Sequence, residues 1–214
     1  EKRLTLGEFK RIIADDYANY EDLRQYIIHR IPKYGTNNAV LNRFAANILS
    51  DIAKIAGQEN ARGGKYLPAF YPHDVFRLLG HKLGATPDGR KAHTPLSRGA
   101  SPSEFIEINN PADIIRSIGA IDFTDYADSF CTELTLPRMS SERGIPVITA
   151  LIEFFLEMKG SSLQFNMLNR EMLIEAQKNP AEHADIIVRV CGYSAYFIHL
   201  SRETQDEIIA RAIR

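Results

Sequence analysis

The chain is poor in cysteine: of 214 residues only Cys131 and Cys191 carry thiols, far apart and neither in a C-x-x-C pair. The six histidines, His29, His73, His81, His93, His183 and His199, show no ligand spacing such as H-x-x-x-H. A disulfide framework or a metal site is therefore not expected, and each histidine reads as a surface or capping residue. Free thiols suit a reducing cytoplasm, which is the expected location. Charge of one sign is also missing. There are 26 Lys+Arg against 27 Asp+Glu, a formal net charge of −1. Nucleic-acid and membrane-surface partners need a basic patch or stripe, so neither is expected. The longest apolar stretch, Ile145 to Met158, is broken by Pro146, Glu153 and Glu157, too short and too polar for a bilayer span. No repeat, low-complexity tract or secretory leader is expected. The chain opens on Glu1 rather than methionine, and almost directly into a helix, so truncation at the N-terminus is expected.

What is present is ordinary globular composition, 44% hydrophobic and 25% charged, enough for one sizeable core. Thr5 and Glu8 form a capping box opening a helix through about Tyr17. A second helix is expected from Glu21 to Arg30, stopped by Pro32. A third runs from Asn38 to Ala56, with Leu41, Ala45, Ile48, Ile52 and Ile55 on one face and Gly57 ending it. Tyr66 to Tyr71 reads as a strand, and Val75, Leu78 and Leu79 as a short helix or irregular turn. Pro87-Asp88-Gly89 is a turn signal, because proline presets φ and Asp and Gly tolerate the bend. Arg90, Lys91 and Arg98 make that loop basic; its default reading is a solvated surface connection, and the alternative is a loop that packs near a functional site or a partner surface.

Further along, a short helix is expected from Pro111 and a strand over Thr132 to Leu136. Pro146 to Lys159 should be a helix buried on much of its surface and stopped by Gly160. A strand over Ser162 to Leu168 follows, then helices over Arg170 to Lys178 and Arg202 to Arg211, the last with Ser201 as N-cap. The alternation of strands and helices is an α/β pattern. Strand side chains alternate, so Gln164 and Asn166 share one face and Leu163 and Phe165 the other. The polar pair either lines an interior or forms the wet side of a half-exposed strand.

The most specific feature lies near the C-terminus, in IVRVCGYSA (Ile187 to Ala195). β-Branched residues lead into Gly192, and Tyr193 follows. A lone Gly-Tyr pair would usually mark a bulge or strand end. The full run resembles the signature of the glycyl radical enzymes, the pyruvate formate-lyase superfamily. Two further segments carry the same resemblance in order: LTLGEFKRIIADDY with RIPKYGTNN (within Leu4 to Asn38) and GATPDGRKAHTPLSRGASPSE (Gly84 to Glu104). Leu163 to Arg214 is similar to the family's closing segment throughout.

The resemblance implies an α/β fold: the second half of a ten-stranded α/β barrel of the glycyl radical enzyme type, with a C-terminal glycyl radical loop and helix. Residues 1–160 would be the C-terminal part of the barrel domain and 161–214 the glycine radical domain. It implies that Gly192 is the catalytic position, holding a backbone radical. The physical reason is that a Cα radical flattens to delocalise into both flanking peptides, and glycine has no side chain to crowd it. Arg189 and Tyr193 would position the loop and exclude water, and Cys191 would be a small buried neighbour rather than a relay. Arg189 reads equally well as a structural ion-pair partner.

The family's catalytic cysteine sits on an upstream segment. Cys131, in DSFCTELTLP, does not match that motif, so the thiol that receives the radical would lie outside this chain. The implied activity is that of an anaerobic, oxygen-sensitive lyase or transferase, of the formate acetyltransferase or dehydratase type. GYSAYF leans toward the dehydratases. No bound cofactor or metal is expected. The radical would be installed by a partner activase using S-adenosylmethionine and an iron–sulfur cluster. A small-molecule substrate and a homodimer are also implied. The alternative is a non-enzymatic glycyl radical carrier that docks onto a damaged lyase and repairs it.

Overall fold

The computed structural model describes residues 3–70, 75–97, 99–103, 105–106, 108, 110–128, 131–190 and 193–212, with Arg211 described by its backbone alone. Helices α1 (Leu6–Ala14), α2 (Glu21–Arg30), α3 (Ala39–Ala56), α4 (Val75–Lys82) and α5 (Pro111–Gly119) precede strand β1 (Thr132–Leu136). Then follow α6 (Ser141–Glu157), β2 (Leu163–Met167), α7 (Arg170–Lys178), β3 (Ile187–Arg189), β4 (Ser194–Tyr196) and α8 (Arg202–Arg211).

The capping box at Thr5 and the N-cap at Ser201 form as expected, and three asparagine caps join them. Thr5 accepts from the Glu8 N–H while Glu8 accepts from the Thr5 N–H. Asn38, Asn110, Asn169 and Ser201 accept from first-turn N–H groups of α3, α5, α7 and α8. Helix α1 ends earlier than expected, at Ala14. Asp16 and Tyr17 turn to φ 52° and 60°, and this swings the Tyr17 ring into a core with Ile12 and Ile27. Helix α6 starts earlier than its sequence suggested, at Ser141, because Pro146 sits only in the second turn. There the proline removes a single hydrogen bond and opposes one carbonyl of the opening turn. Among the described residues, Tyr66 to Phe70 form no strand. Pro68 has no N–H to give, and the Pro68 carbonyl accepts from the Ala127 N–H at 2.8 Å, so the segment is tied by single bonds. Tyr71 lies outside the described residues.

The loop after α4 is not a solvated connection, which corrects its default reading. Arg90 is 4% exposed, and its guanidinium donates to the carbonyls of Lys91 (3.1 Å), Thr94 (2.7 Å) and Gly84. A guanidinium forks geometrically, so one buried side chain satisfies several loop carbonyls at once. The expected turn forms at Gly89 (φ 100°), with Gly89 N–H donating to the Thr86 carbonyl at 3.1 Å. The turn packs on α1 and α2: Tyr17 Oη donates to the Thr86 carbonyl (2.7 Å), Arg24 to the Gly89 carbonyl (3.0 Å), and the Ala92 N–H to Asp16 (2.7 Å). Burial, reinforced by the nearby Asp88 carboxylate, pushes the Tyr17 hydroxyl pKa up. Gly80 allows the return crossing, since a Cβ there would stand 2.3 Å from the Thr94 carbonyl oxygen. Arg98 lies outside the described residues.

Strands β1 and β2 pair in parallel, with Glu133 opposite Gln164 and Thr135 opposite Asn166, and α6 makes the crossover. One face of this ladder is apolar. Leu134 packs with Ile115 of α5 and Phe155 of α6, and Leu163 and Phe165 lie against them. The opposite face carries Cys131, Glu133, Gln164 and Asn166. Helix α6 is not buried over most of its surface: Ile145, Val147, Ile152 and Leu156 are exposed. On α3 the expected apolar face is likewise uncovered at Ile48, Ile52 and Ile55, with Val40 and Phe44 beside it. The buried side of α3 is built on Asn42 and Ala53. No helix among the described residues is long and apolar enough to cross a membrane.

Candidate functional site: a hairpin held by a polar strand face

Strands β3 and β4 form an antiparallel hairpin with Val188 opposite Ala195 and Arg189 opposite Ser194. The Val190 N–H donates to the Tyr193 carbonyl at 2.9 Å, so the ladder continues to the edge of the turn. Cys191 and Gly192, which the chain places between those two residues, lie outside the described residues. Alternation sends Val188 and Val190 inward and leaves Ile187 exposed. The two valines join Leu168, Leu173, Ala176, Phe197, Ile208 and Ile209 in one apolar core, in which Phe197 is 0% exposed. Gln205, buried on α8, donates to the carbonyls of Phe197 (3.0 Å) and Leu200 (3.2 Å), closing the turn after β4. Arg77 of α4 reaches this block, donating to Thr204 Oγ1 at 2.7 Å and pairing with Glu207 at 3.4 Å.

The hairpin leans on the polar face of β1 and β2. Arg189 is the contact residue, and it is held at two points. Its backbone N–H donates to Asn166 Oδ1 (3.2 Å), and its guanidinium donates to Gln164 Oε1 (3.1 Å). The same guanidinium reaches across the hairpin to Ser194 Oγ at 3.1 Å. Gln164 and Asn166 thus face the hairpin, and both are buried. Behind them, Asn166 Nδ2 donates to Glu133 Oε1 at 2.7 Å, and Cys131 Sγ donates weakly to Gln164 Oε1 at 3.4 Å. Gln164 Nε2 is buried and has no hydrogen-bond partner among the described residues. Arg189 makes no ion pair among the described residues, and its bonds run to neutral amide and hydroxyl oxygens. Tyr193 is 49% exposed and meets the hairpin through its backbone carbonyl.

Of the residues singled out in the sequence, the structure therefore brings together Arg189, Gln164 and Asn166. Glu133, Cys131 and Ser194 belong to the same network; Ser194 lies within the signature run but was not singled out, and Glu133 and Cys131 carried no sequence signal of function. The period-2 pattern of β1 does put Cys131 and Glu133 on one face. What it cannot supply is the parallel register that sets that face beside Gln164 and Asn166.

A family profile described as "Glycine radical" matches residues 96–198, and one described as "Pyruvate formate lyase-like" matches residues 1–76. The chain belongs to the pyruvate formate-lyase-like glycyl radical enzyme superfamily. Trans-4-hydroxy-L-proline dehydratase of Clostridioides difficile is 30% identical over 99% of this chain and 27% of its own. The probable dehydratase YbiW of Escherichia coli K12 is 34% identical over 93% of this chain and 26% of its own. A solved structure concerned with 1,2-propanediol dehydration in Roseburia inulinivorans superposes with a TM-score of 0.88 at 32% identity, over 99% of this chain and 28% of that one. The chain spans about a quarter of the length of these relatives.

Proposed function

We propose that this chain is the radical-storing C-terminal part of an anaerobic glycyl radical dehydratase or related lyase, with the unpaired electron held on Gly192. The observation that carries the reading is the closed, core-backed hairpin on either side of residues 191 and 192, within the span of the glycine radical profile. The activase would remove one hydrogen atom from Gly192 Cα. The glycyl radical would later take a hydrogen atom from a cysteine thiol outside this chain, restoring glycine and leaving a thiyl radical to attack substrate. Arg189, Gln164 and Asn166 would set the position of the hairpin in that exchange, with Tyr193 at its mouth and Cys191 a small neighbour of the radical. A Cα radical needs a planar centre and a dry, fixed setting, and a hairpin anchored on its own core supplies the fixity.

The relatives named above are dehydratases or concern dehydration, and this favours C–O cleavage of a small hydroxylated substrate over acetyl transfer. The partners of this reading are a radical S-adenosylmethionine activase and a second subunit, in the cytoplasm. The uncovered faces of α3 and α6 and the two-stranded ladder β1–β2 support the second-half-of-a-barrel architecture, since each lacks a packing layer. The division into residues 1–160 and 161–214 follows the same reading, with the β1–β2 ladder crossing it.

The test is anaerobic activation of the whole protein with its activase, followed by electron paramagnetic resonance, then air exposure and mass spectrometry. A doublet radical signal and oxygen-dependent scission at Gly192 are expected, and Gly192→Ala should abolish both. A full signal in the Gly192→Ala variant would refute the assignment. The carrier alternative draws on one observation, the apolar core built within residues 168–212. Restoration of radical and activity when the chain is added to an oxygen-cleaved lyase would favour it.

A further inference from the structure

Because Arg189 and Ser194 face each other across a non-hydrogen-bonded pair, the Arg189 N–H points away from β4. No strand pairs with that edge among the described residues. A side chain accepts the bond instead: Asn166 Oδ1, at 3.2 Å. A carboxamide has one accepting end and one donating end, so the bond depends on which way round Asn166 is held. At 3% exposure, water does not correct a wrong orientation.

We propose that Glu133 is a positioning residue for the glycyl hairpin, acting through the carboxamide of Asn166. Glu133 Oε1 accepts from Asn166 Nδ2 at 2.7 Å, which turns the donating end of the carboxamide toward β1. The accepting end then faces β3. Reversed, the carboxamide would point its NH2 at the Arg189 N–H and its oxygen at the Glu133 carboxylate, breaking both bonds at once. Glu133 thereby fixes the backbone at Arg189, three positions ahead of Gly192, from a strand on the far side of β2. Gln164 acts in parallel on the guanidinium, so the second hold on Arg189 remains when the first is lost. The relay is independent of the chemistry assigned to Gly192; only its consequence for the radical rests on that reading.

The experiment is residue-resolved amide hydrogen exchange on the intact protein, comparing wild type with Glu133→Gln and Glu133→Met. Gln keeps an accepting oxygen; Met keeps the length and loses it. Exchange at the Arg189 N–H should rise roughly 3- to 10-fold in the Met variant, the worth of one modest hydrogen bond. It should stay near wild type in the Gln variant, and the amides of α8 should not change in either. Should the Met variant not fold, Glu133→Ala carries the same expectation. Unchanged protection at Arg189 without the acceptor, or a Gln variant as loosened as the Met one, would overturn the relay. In the activated enzyme, the Met variant but not the Gln variant should alter the hyperfine splitting of the radical. Absence of any radical in wild type would count against the Gly192 reading and leave the exchange result standing.

Discussion

Two parts of this chain bury their apolar residues very differently. Residues 168–212 close on themselves: Leu173, Ala176, Phe197 and Ile208 are fully enclosed by α7, α8 and the hairpin. Helix α3 carries a long apolar stripe, yet on it Phe44 is 63% exposed and Ile55 72%. The difference lies in what each sequence is patterned to meet. The C-terminal block meets its own neighbours within a short stretch of chain. The face of α3 meets no layer within the described residues. An amphipathic stripe therefore reports that a helix has a face to bury, not that the partner is close in sequence.

The comparison is broken most directly from the inside of the closed block. Phe197→Ala should cost about 3–5 kcal/mol, because truncating an enclosed ring leaves a cavity that the surroundings fill only partly. Denaturant unfolding followed by hydrogen exchange should show the loss concentrated in residues 168–212. A loss under about 1 kcal/mol would mean that this core is not close-packed. On the open side, Phe44→Ser and Ile52→Ser should each change the stability of this chain by no more than about 0.5 kcal/mol. The same serines in the whole protein should cost several times more if a packing layer covers α3 there. Equal effects in the two settings would remove the half-barrel reading.

The smallest effect belongs to a surface ion pair at the start of α2. Hydrogen bonds from Arg24, and then from Gln25, hold the Glu21 carboxyl at about 2, below its ordinary 4.5. A carboxyl lowered on folding stabilises the fold above pH 4.5 and loses that contribution as pH falls toward 2. The pair is exposed, so screening leaves only a few tenths of a kcal/mol. Glu21→Gln should flatten the acid limb of the stability profile by that amount, and an unchanged limb would show that the pair contributes nothing.

Local signals were legible throughout. The caps at Thr5 and Ser201, the span of α2 and α7, the turn at Gly89 and the strand at Thr132 all follow from residues a few positions apart. So did the family, because its signature is a contiguous run. Where reading failed, the way the chain folded back on itself, or the lack of a covering layer, decided. Arg90 looked like a surface charge until the carbonyls of Gly84, Lys91 and Thr94 closed around it. Ile152 and Leu156 sit in a helix read as largely buried, and the described chain leaves them exposed.

The sequence by itself determined most of the helices and the two strands of the parallel pair, the shared face of Gln164 and Asn166, and the run around Gly192 that carries the family resemblance. These depend on short-range sterics, alternation and capping, which a chain carries along its own length. The tertiary structure alone decided that Glu133 stands behind Asn166 and that Arg189 is gripped at both backbone and side chain. That outcome depends on the register of a parallel pair whose strands are separated by a helix, and register is set by packing across the whole ladder rather than by any residue in it.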